Sequence, residues 1–431
     1  MKATRIAVIA AVVLLNTIPA GAQDALADLR RELAALRSEV QQLRDEVQTL
    51  RSTTLPAPGP NLEILQSQVA ELAQTKVEST TRFPVRLFGA VHTSVFTNSA
   101  NANWLDNPNV VAAPPADGMN GTLGASLRQT RIGFASDGPL LGSARTSALV
   151  AMDFLGGVPA YQTGQTMGLP RLLFGYARIE GSRTALEIGQ DHVILAPRDP
   201  TSLADFAFPA MYRSGNLYLR APQVRVERSL NSRFSSSVGI VAPVAGDLTG
   251  VNYLFVPPAL AGERSRRPAI EGRLAYGDQH QDAMRSFVAG AAGHLGWERQ
   301  PGALRRNWAT AIDAAARRGK VAAAGEAFIG DRVDAFGGAL GQDARSAGGW
   351  GELQIFPNDR LTVVAGFGVD RIDPSRASGL PRSRNQSASS SLIFSLVPEI
   401  QTAVEYHWLK TLTPRGALTN HHVDFVFVHK F

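Results

Sequence analysis

Cysteine is absent from the 431 residues, so the chain can build no disulfide framework, no thiolate metal site and no cysteine nucleophile. Lysine is scarce too. It stands only at 2, 76, 320, 410 and 430, and arginine supplies the rest of the 43 basic side chains. Aromatic residues make up only 7% of the chain. Past the N-terminus no stretch approaches ~18 uncharged apolar residues, which excludes a helical membrane bundle. A β-barrel stays open, because its strands alternate and give no hydropathy peak. What is present is a hydrophobic content of 44%, enough for a large folded body, punctuated by 40 Gly and 25 Pro.

Residues 1–22 have the layout of a secretory signal. Lys2 and Arg5 precede an apolar run from Ile6 to Leu15 that is too short to cross a bilayer as a helix. Pro19 breaks the run, and Ala20-Gly21-Ala22 offers small residues for cleavage. The expected mature chain starts near Gln23, outside the cytoplasm.

Residues 23–55 carry heptads. Leu26, Leu33, Val40 and Val47 occupy position a, and Leu29, Leu36, Leu43 and Leu50 occupy position d. This seam predicts a coiled coil, with a solvated helix packed on its own body as the alternative. The charges favour the first reading. Glu32, Glu39 and Glu46 at g face Arg37, Arg44 and Arg51 at the next e, a spacing that pairs neighbouring helices only when they run parallel and in register. Each exposed pair contributes only ~0.2–1 kcal/mol, so the charges select register while the apolar seam supplies stability. Mixed Leu and Val at a leave the number of helices open. The prolines at 56, 58 and 60 end the helix, and 56–83 reads as a linker with a second short helix.

After Pro84 the period changes to two. Sixteen alternating segments recur, at 85–98, 125–136, 142–155, 170–180, 184–196, 216–227, 234–244, 266–276, 284–296, 305–315, 320–330, 349–356, 360–371, 384–396, 399–412 and 421–431. Those at 266–276, 305–315 and 320–330 are rich in alanine and also admit a helical reading. The connections after even-numbered segments are short, as at Asp137-Gly138-Pro139, Gly181-Ser182-Arg183 and Pro357-Asn358-Asp359. Those after odd-numbered segments are mostly long, as at 99–124, 197–215, 245–265 and 331–348. An even-stranded meander with one short-turn end and one long-loop end predicts an all-β fold: a 16-stranded antiparallel transmembrane β-barrel over 84–431. In the last segment, Val423, Phe425 and Phe427 alternate with Asp424, Val426 and Val428, as one lipid face and one lumenal face require.

Several runs resemble a known family. Leu127-Arg128-Gln129-Thr130-Arg131-Ile132-Gly133-Phe134, Met152-Asp153-Phe154-Leu155-Gly156, Ile188-Gly189-Gln190-Asp191 and Arg220-Ala221-Pro222-Gln223-Val224-Arg225 are similar, in that order, to the DcaP-like porins and the phosphate-selective porin O/P group. The terminal His429-Lys430-Phe431 resembles the ending of general porins, with Phe431 as the barrel-assembly signal. The resemblance implies a homotrimeric outer-membrane channel without cofactor or metal, its coiled coil in the periplasm. The partners it implies are membrane lipid and lipopolysaccharide, the outer-membrane barrel assembly machinery and, for the coiled coil, peptidoglycan. It further implies that the connection 197–215 folds inward as the constriction, bringing Arg198, Asp199, Asp205 and Arg213 beside Phe206, Phe208, Met211 and Tyr212.

Net charge is +6. Residues 1–22 carry +2 and 23–80 carry −3, which leaves +7 for the barrel. Alternation places Arg131, Arg145, Arg171, Arg225 and Arg273 on the lumenal face, tempered there by Asp153, Glu187, Glu227, Glu271 and Glu326. Guanidinium forks suit carboxylate and phosphate, so the expected solute is small, polar and anionic. Base composition of the gene is the competing explanation for so much arginine. The positive charge is spread over strands, which disfavours a nucleic-acid partner. No G-x-S-x-G elbow and no phosphate loop occurs. Glu405 and His407, two apart on one strand, leave a barrel-embedded hydrolase as a minor alternative, beside a structural envelope tether acting through the coiled coil.

Overall fold

The computed structural model describes Ser38 and residues 85–157, 168–206, 208–244, 259–277 and 285–431. The expected signal segment, the coiled coil with its Glu–Arg pairs and the linker lie outside the described residues, Ser38 apart. The second of two compact units, Thr81–Phe431, holds every strand among the described residues. In chain order these are β1 (Val85–Asn98), β2 (Thr122–Ser126), β3 (Arg131–Asp137), β4 (Arg145–Asp153), β5 (Arg171–Glu180), β6 (Thr184–His192), β7 (Arg220–Ser229), β8 (Phe234–Val241) and β9 (Ala269–Gly277). They continue with β10 (Arg285–Gln300), β11 (Ala303–Arg318), β12 (Val321–Asp331), β13 (Arg345–Asn358), β14 (Leu361–Ile372), β15 (Arg384–Val397), β16 (Ile400–Thr413) and β17 (Gly416–Lys430).

β2 and β3 aside, strands adjacent along the chain are adjacent in space and antiparallel, and β1 closes the sheet on β17 from Ala90↔Lys430 to Asn98↔His422. The other edge of β1 pairs with β2 along its second half and with β3 along its first. β2 and β3 therefore share one place, and the seventeen strands make a closed sixteen-position barrel. Closure leaves no bare edge, the one arrangement of a sheet that hydrocarbon tolerates.

Each of the sixteen expected segments coincides with a place in the barrel. The alanine-rich ones are strands β9, β11 and β12, held there by the alternation of outward apolar residues with inward Glu271, Arg273, Asp313 and Glu326. One expectation is corrected. The segment 125–136 is not one strand but two, because Arg128 and Gln129 both turn inward. Arg128 binds the Asp106 carboxylate at 2.6 Å and the Gln129 side-chain oxygen accepts the Phe206 amide at 2.7 Å, and two successive inward side chains break a period of two. The two ends also differ less evenly than expected. On the long-loop side, 301–302 and 414–415 are tight turns, and the hairpin of β10 and β11 runs sixteen residues a strand.

The outward row of β14 is Leu361, Val363, Ala365, Phe367 and Val369. These nine residues of chain match what a tilted strand needs to cross hydrocarbon. Val423, Phe425 and Phe427 on β17 are likewise exposed outward, and Asp424, Val426 and Val428 are buried inward. At the seam, the Gly89 amide donates to the Phe431 carbonyl at 3.0 Å and the Phe431 amide returns the bond at 3.1 Å. Only glycine fits there: a Cβ on residue 89 would strike the Arg131 carbonyl and sit 2.7 Å from the Phe431 ring.

Ile312 is 63% exposed in the middle of the outward row of β11. Ile312→Arg is expected to destabilise the lipid-embedded barrel by ~2–4 kcal/mol, read from denaturant unfolding in vesicles.

Candidate functional site

The connection between β6 and β7, residues 193–219, enters the barrel instead of standing above it. A buried strap of backbone needs acceptors for its amides, and the wall supplies carboxylates, one on each of four strands. Glu271 on β9 accepts the Ile194 and Leu195 amides at 2.6 and 3.1 Å. Glu326 on β12 accepts the Arg198 amide at 2.9 Å. Glu352 on β13 takes the Thr201 amide at 2.7 Å and its hydroxyl at 2.9 Å. Glu405 on β16 takes the Leu203 and Ala204 amides at 2.6 and 3.1 Å and the Ser202 hydroxyl at 2.7 Å. Between the first two, Asp313 on β11 binds Arg198 Nε at 2.7 Å and Arg273 Nη2 at 2.8 Å. Bonds to ionised acceptors are about twice as strong as neutral ones, so the strap is firmly fastened.

Apolar packing secures both halves. Leu203 and Ala204, with Phe206 against them, bury beside Ala90, Val364, Ile393, Ala403, Val426 and Val428. Val193 and Leu195 bury with Ala269, Ala292, Ala309 and Phe328. Val426 and Val428 thus face the interior because the strap covers them. Beyond Ala204, Asp205 accepts from Asn107 Nδ2 at 2.9 Å and lies 3.6 Å from His407. Burial pushes the Asp205 carboxyl up to about 6, with His407 pulling against it. The Arg213 carbonyl accepts from Asn385, and the Arg213 guanidinium lies over the Tyr212 ring.

The opposite side of the interior is basic. Arg131 lies 4.5 Å over the Phe206 ring, Arg171 lies 4.8 Å over Phe208, and Arg220 lies 4.6 Å over Phe174 and 4.9 Å over Tyr218. The three guanidinium groups are close enough to repel one another. Arg171 is fastened to Asp153 through two bonds of 3.1 and 2.6 Å. Arg131 Nε has no hydrogen-bond partner, and Arg220 Nε donates only to His192 Nε2, at 3.3 Å. The strap offers this cluster one acid, Asp199. Burial raises its carboxyl above the usual range, while Arg220 and Arg131 pull it down.

The expected lumenal residues therefore divide. Arg131, Arg171 and Asp153 meet in the basic cluster. Arg225 and Glu187 belong to a separate network on β5–β7, where Arg225 reaches Asp191 at 2.7 Å and Glu187 at 3.1 Å, and Arg178 reaches Glu227 at 2.6 Å. Arg273 and Glu271 serve the strap. Arg145 has the inward phase but stands at the short-turn rim, its side chain 78% exposed and 3.8 Å from Glu180. The sequence reading passes over Arg220, which opens β7 out of phase with Arg225, over Asp313 and Glu352, whose inward phase was available as a signal, and over Arg178, which shares a face with Arg171 only because the register shifts between them. Glu405 and His407 are near each other, at 3.5 Å, but both attend to the strap rather than to an open cleft.

Glu405→Ala removes the acceptor of two strap amides, at ~1–3 kcal/mol for each buried donor left unpaired. Amide exchange at 203 and 204 is expected to speed up by about tenfold or more, while exchange in β10 and β11 stays unchanged, as followed by mass spectrometry.

No protein-family model and no curated protein matches the chain. Solved structures do. The outer membrane channel DcaP of Acinetobacter baumannii superposes with a TM-score of 0.64 at 16% identity, over 82% of this chain and 98% of that one. The anion-selective porin from Comamonas acidovorans gives 0.55 at 14% identity, over 81% and 100%. OprB of Pseudomonas putida gives 0.50 at 11% identity, over 84% and 97%. Residues 85–431 thus have the fold of the sixteen-stranded outer-membrane porins, closed around an inward strap.

Proposed function

We propose that the chain is an outer-membrane porin that passes small polar solutes and favours anions, carboxylate- or phosphate-like in chemistry. The observation that carries this reading is the one-sided disposition of charge across the interior. The acids of the far wall lie behind the strap, with Glu405 at 0% and Glu271 at 1% exposure. Arg131, Arg171 and Arg220 are only half-buried, and they lie over rings contributed partly by the strap itself. A solute passing the strap meets three guanidinium forks with one exposed carboxylate, Asp199, among them. Fixed positive charge in a narrow wet passage raises the local concentration of anions and repels cations. The strap sets the aperture and the arginines set the sign.

The DcaP channel and the anion-selective porin, as neighbours in fold, agree with a channel. In planar bilayers under a salt gradient the reversal potential should show anion preference, and phosphate or small carboxylates should reduce the current. Arg131→Gln combined with Arg220→Gln should lower the anion-to-cation permeability ratio several-fold with little loss of conductance. Cation selectivity of the unaltered protein would end the proposal.

The heptads over 23–55 extend the same reading to assembly. Their Glu32–Arg37, Glu39–Arg44 and Glu46–Arg51 spacing suits a parallel homo-oligomer, and the resemblance to trimeric porins makes it a homotrimer held in the periplasm. Deleting 23–55 should convert trimers to smaller species in detergent while conductance per barrel is kept. Trimers that survive the deletion, with a weakened envelope, would assign the segment to tethering instead.

A further inference from the structure

The connection between β12 and β13, residues 332–344, also turns into the barrel. Val333, Phe336, Ala339 and Leu340 are buried, and the Phe336 ring meets the inward His294 ring edge-on at 4.8 Å. The wall pins this loop with polar bonds. The Ala339 amide donates to the Ser346 hydroxyl at 2.9 Å, the Leu340 amide donates to Asp370 at 3.3 Å, and Arg332 binds Glu298 at 2.6 Å. The pinning strains the backbone. Arg332, Ala339 and Leu340 stand at φ of 60°, 51° and 58°, where a Cβ is disfavoured. Strain of this kind persists only where the surroundings over-determine it, and it gathers at functional sites.

The loop carries the aromatic part of the strap. The Tyr218 amide donates to the Phe336 carbonyl at 2.8 Å, Leu217 buries with Val333 and Phe336, and the Tyr212 ring lies against Gly337. The Phe208 ring centroid is 5.1 Å from that of Tyr212 and 5.7 Å from that of Tyr218, and the two tyrosine rings are 6.2 Å apart. Phe208 and Tyr218 are the rings under Arg171 and Arg220. A guanidinium held on a ring face follows the ring when it moves. Contact therefore runs from residue 337, through Tyr212, to two of the three arginines that face the passage.

Only glycine suits position 337. Its φ is 85°, and a Cβ there would strike Cε2 of Tyr212 and lie 2.8 Å from Cζ. The Tyr212 ring is buried, so it has no solvent to swing into. Gly379, in the connection between β14 and β15, has nearly the same φ, 79°, and a Cβ on it would meet nothing within 4 Å.

We propose that Gly337 is a positioning residue for solute selection. Its bare α-carbon seats the Tyr212 ring, and through the three packed rings it fixes where Arg171 and Arg220 stand in the passage. The inference rests on the anion-favouring reading of those arginines and adds to it a residue from a separate loop.

Gly337→Ala, Tyr212→Ala, the two combined, and Gly379→Ala can be compared with the unaltered chain in planar bilayers under a salt gradient. Gly337→Ala and Tyr212→Ala should each lower the anion-to-cation permeability ratio several-fold. The combined variant should fall no further than Tyr212→Ala alone, because the ring that the added methyl strikes is gone. Gly379→Ala, with the same backbone strain and no ring beside it, should keep the ratio. Amide exchange over 212–218 should speed up about tenfold in Gly337→Ala, as the bond from Tyr218 to Phe336 loosens, and stay unchanged in Gly379→Ala. An unchanged ratio in Tyr212→Ala, additive losses in the combined variant, or an equal loss in Gly379→Ala would each overturn the proposal while leaving the anion preference of the unaltered channel intact. Cation preference of the unaltered channel would overturn both readings together. Tyr212→Ala and Gly379→Ala add nothing to the packed interior, so they decide the matter even where Gly337→Ala fails to fold.

Discussion

Backbone amides and carbonyls must find partners wherever water is excluded, and both halves of this structure answer that demand. In the wall, each strand satisfies its neighbour around a closed circle. In the interior, the strap has no neighbouring strand to lie on in register, so its amides go to carboxylates. Four strands of the wall each donate a glutamate for this purpose, at 271, 326, 352 and 405, and the last binds two amides and two hydroxyls. A strap held by side chains can cross the barrel at an angle that no β-ladder would allow.

That solution also sorts the charges. A count of lumenal residues gives arginines tempered by as many acids, which says little about what a solute would meet. Position says more. The acids are covered by the segment they hold, whereas Arg131 and Arg220 keep donors without carboxylate partners and rest on aromatic rings. Cation–π contact of this kind steadies a guanidinium without neutralising it.

Much of the wall was legible in the sequence because lipid imposes a strict rule. Outward residues must be apolar at every second position, and sixteen segments obeyed it closely enough to be located, even the alanine-rich ones. The interior follows no such rule. Val426 and Val428 face inward and are apolar because Leu203 and Ala204 pack on them, over two hundred residues away in the chain. Arg128 and Gln129 split a strand because each answers to a different loop. Glu405 and His407 were visible as a pair, but their partners lie on the strap, and no local pattern announces a contact of that range. Arg220 was missed for a related reason, since it stands at a strand end where the chain turns and phase no longer predicts direction.

The joint between β1 and β17 has a consequence for how such a cylinder comes into being. It brings together Gly89 and Phe431, the two extremes of the folded body, so almost every other pairing can form before it does. Until the final phenylalanine is laid against that glycine, the sheet is an open ribbon with two sticky margins, prone to zip onto any neighbouring ribbon. The small residue at 89 keeps a berth for the Phe431 ring at the place where the circle is clasped.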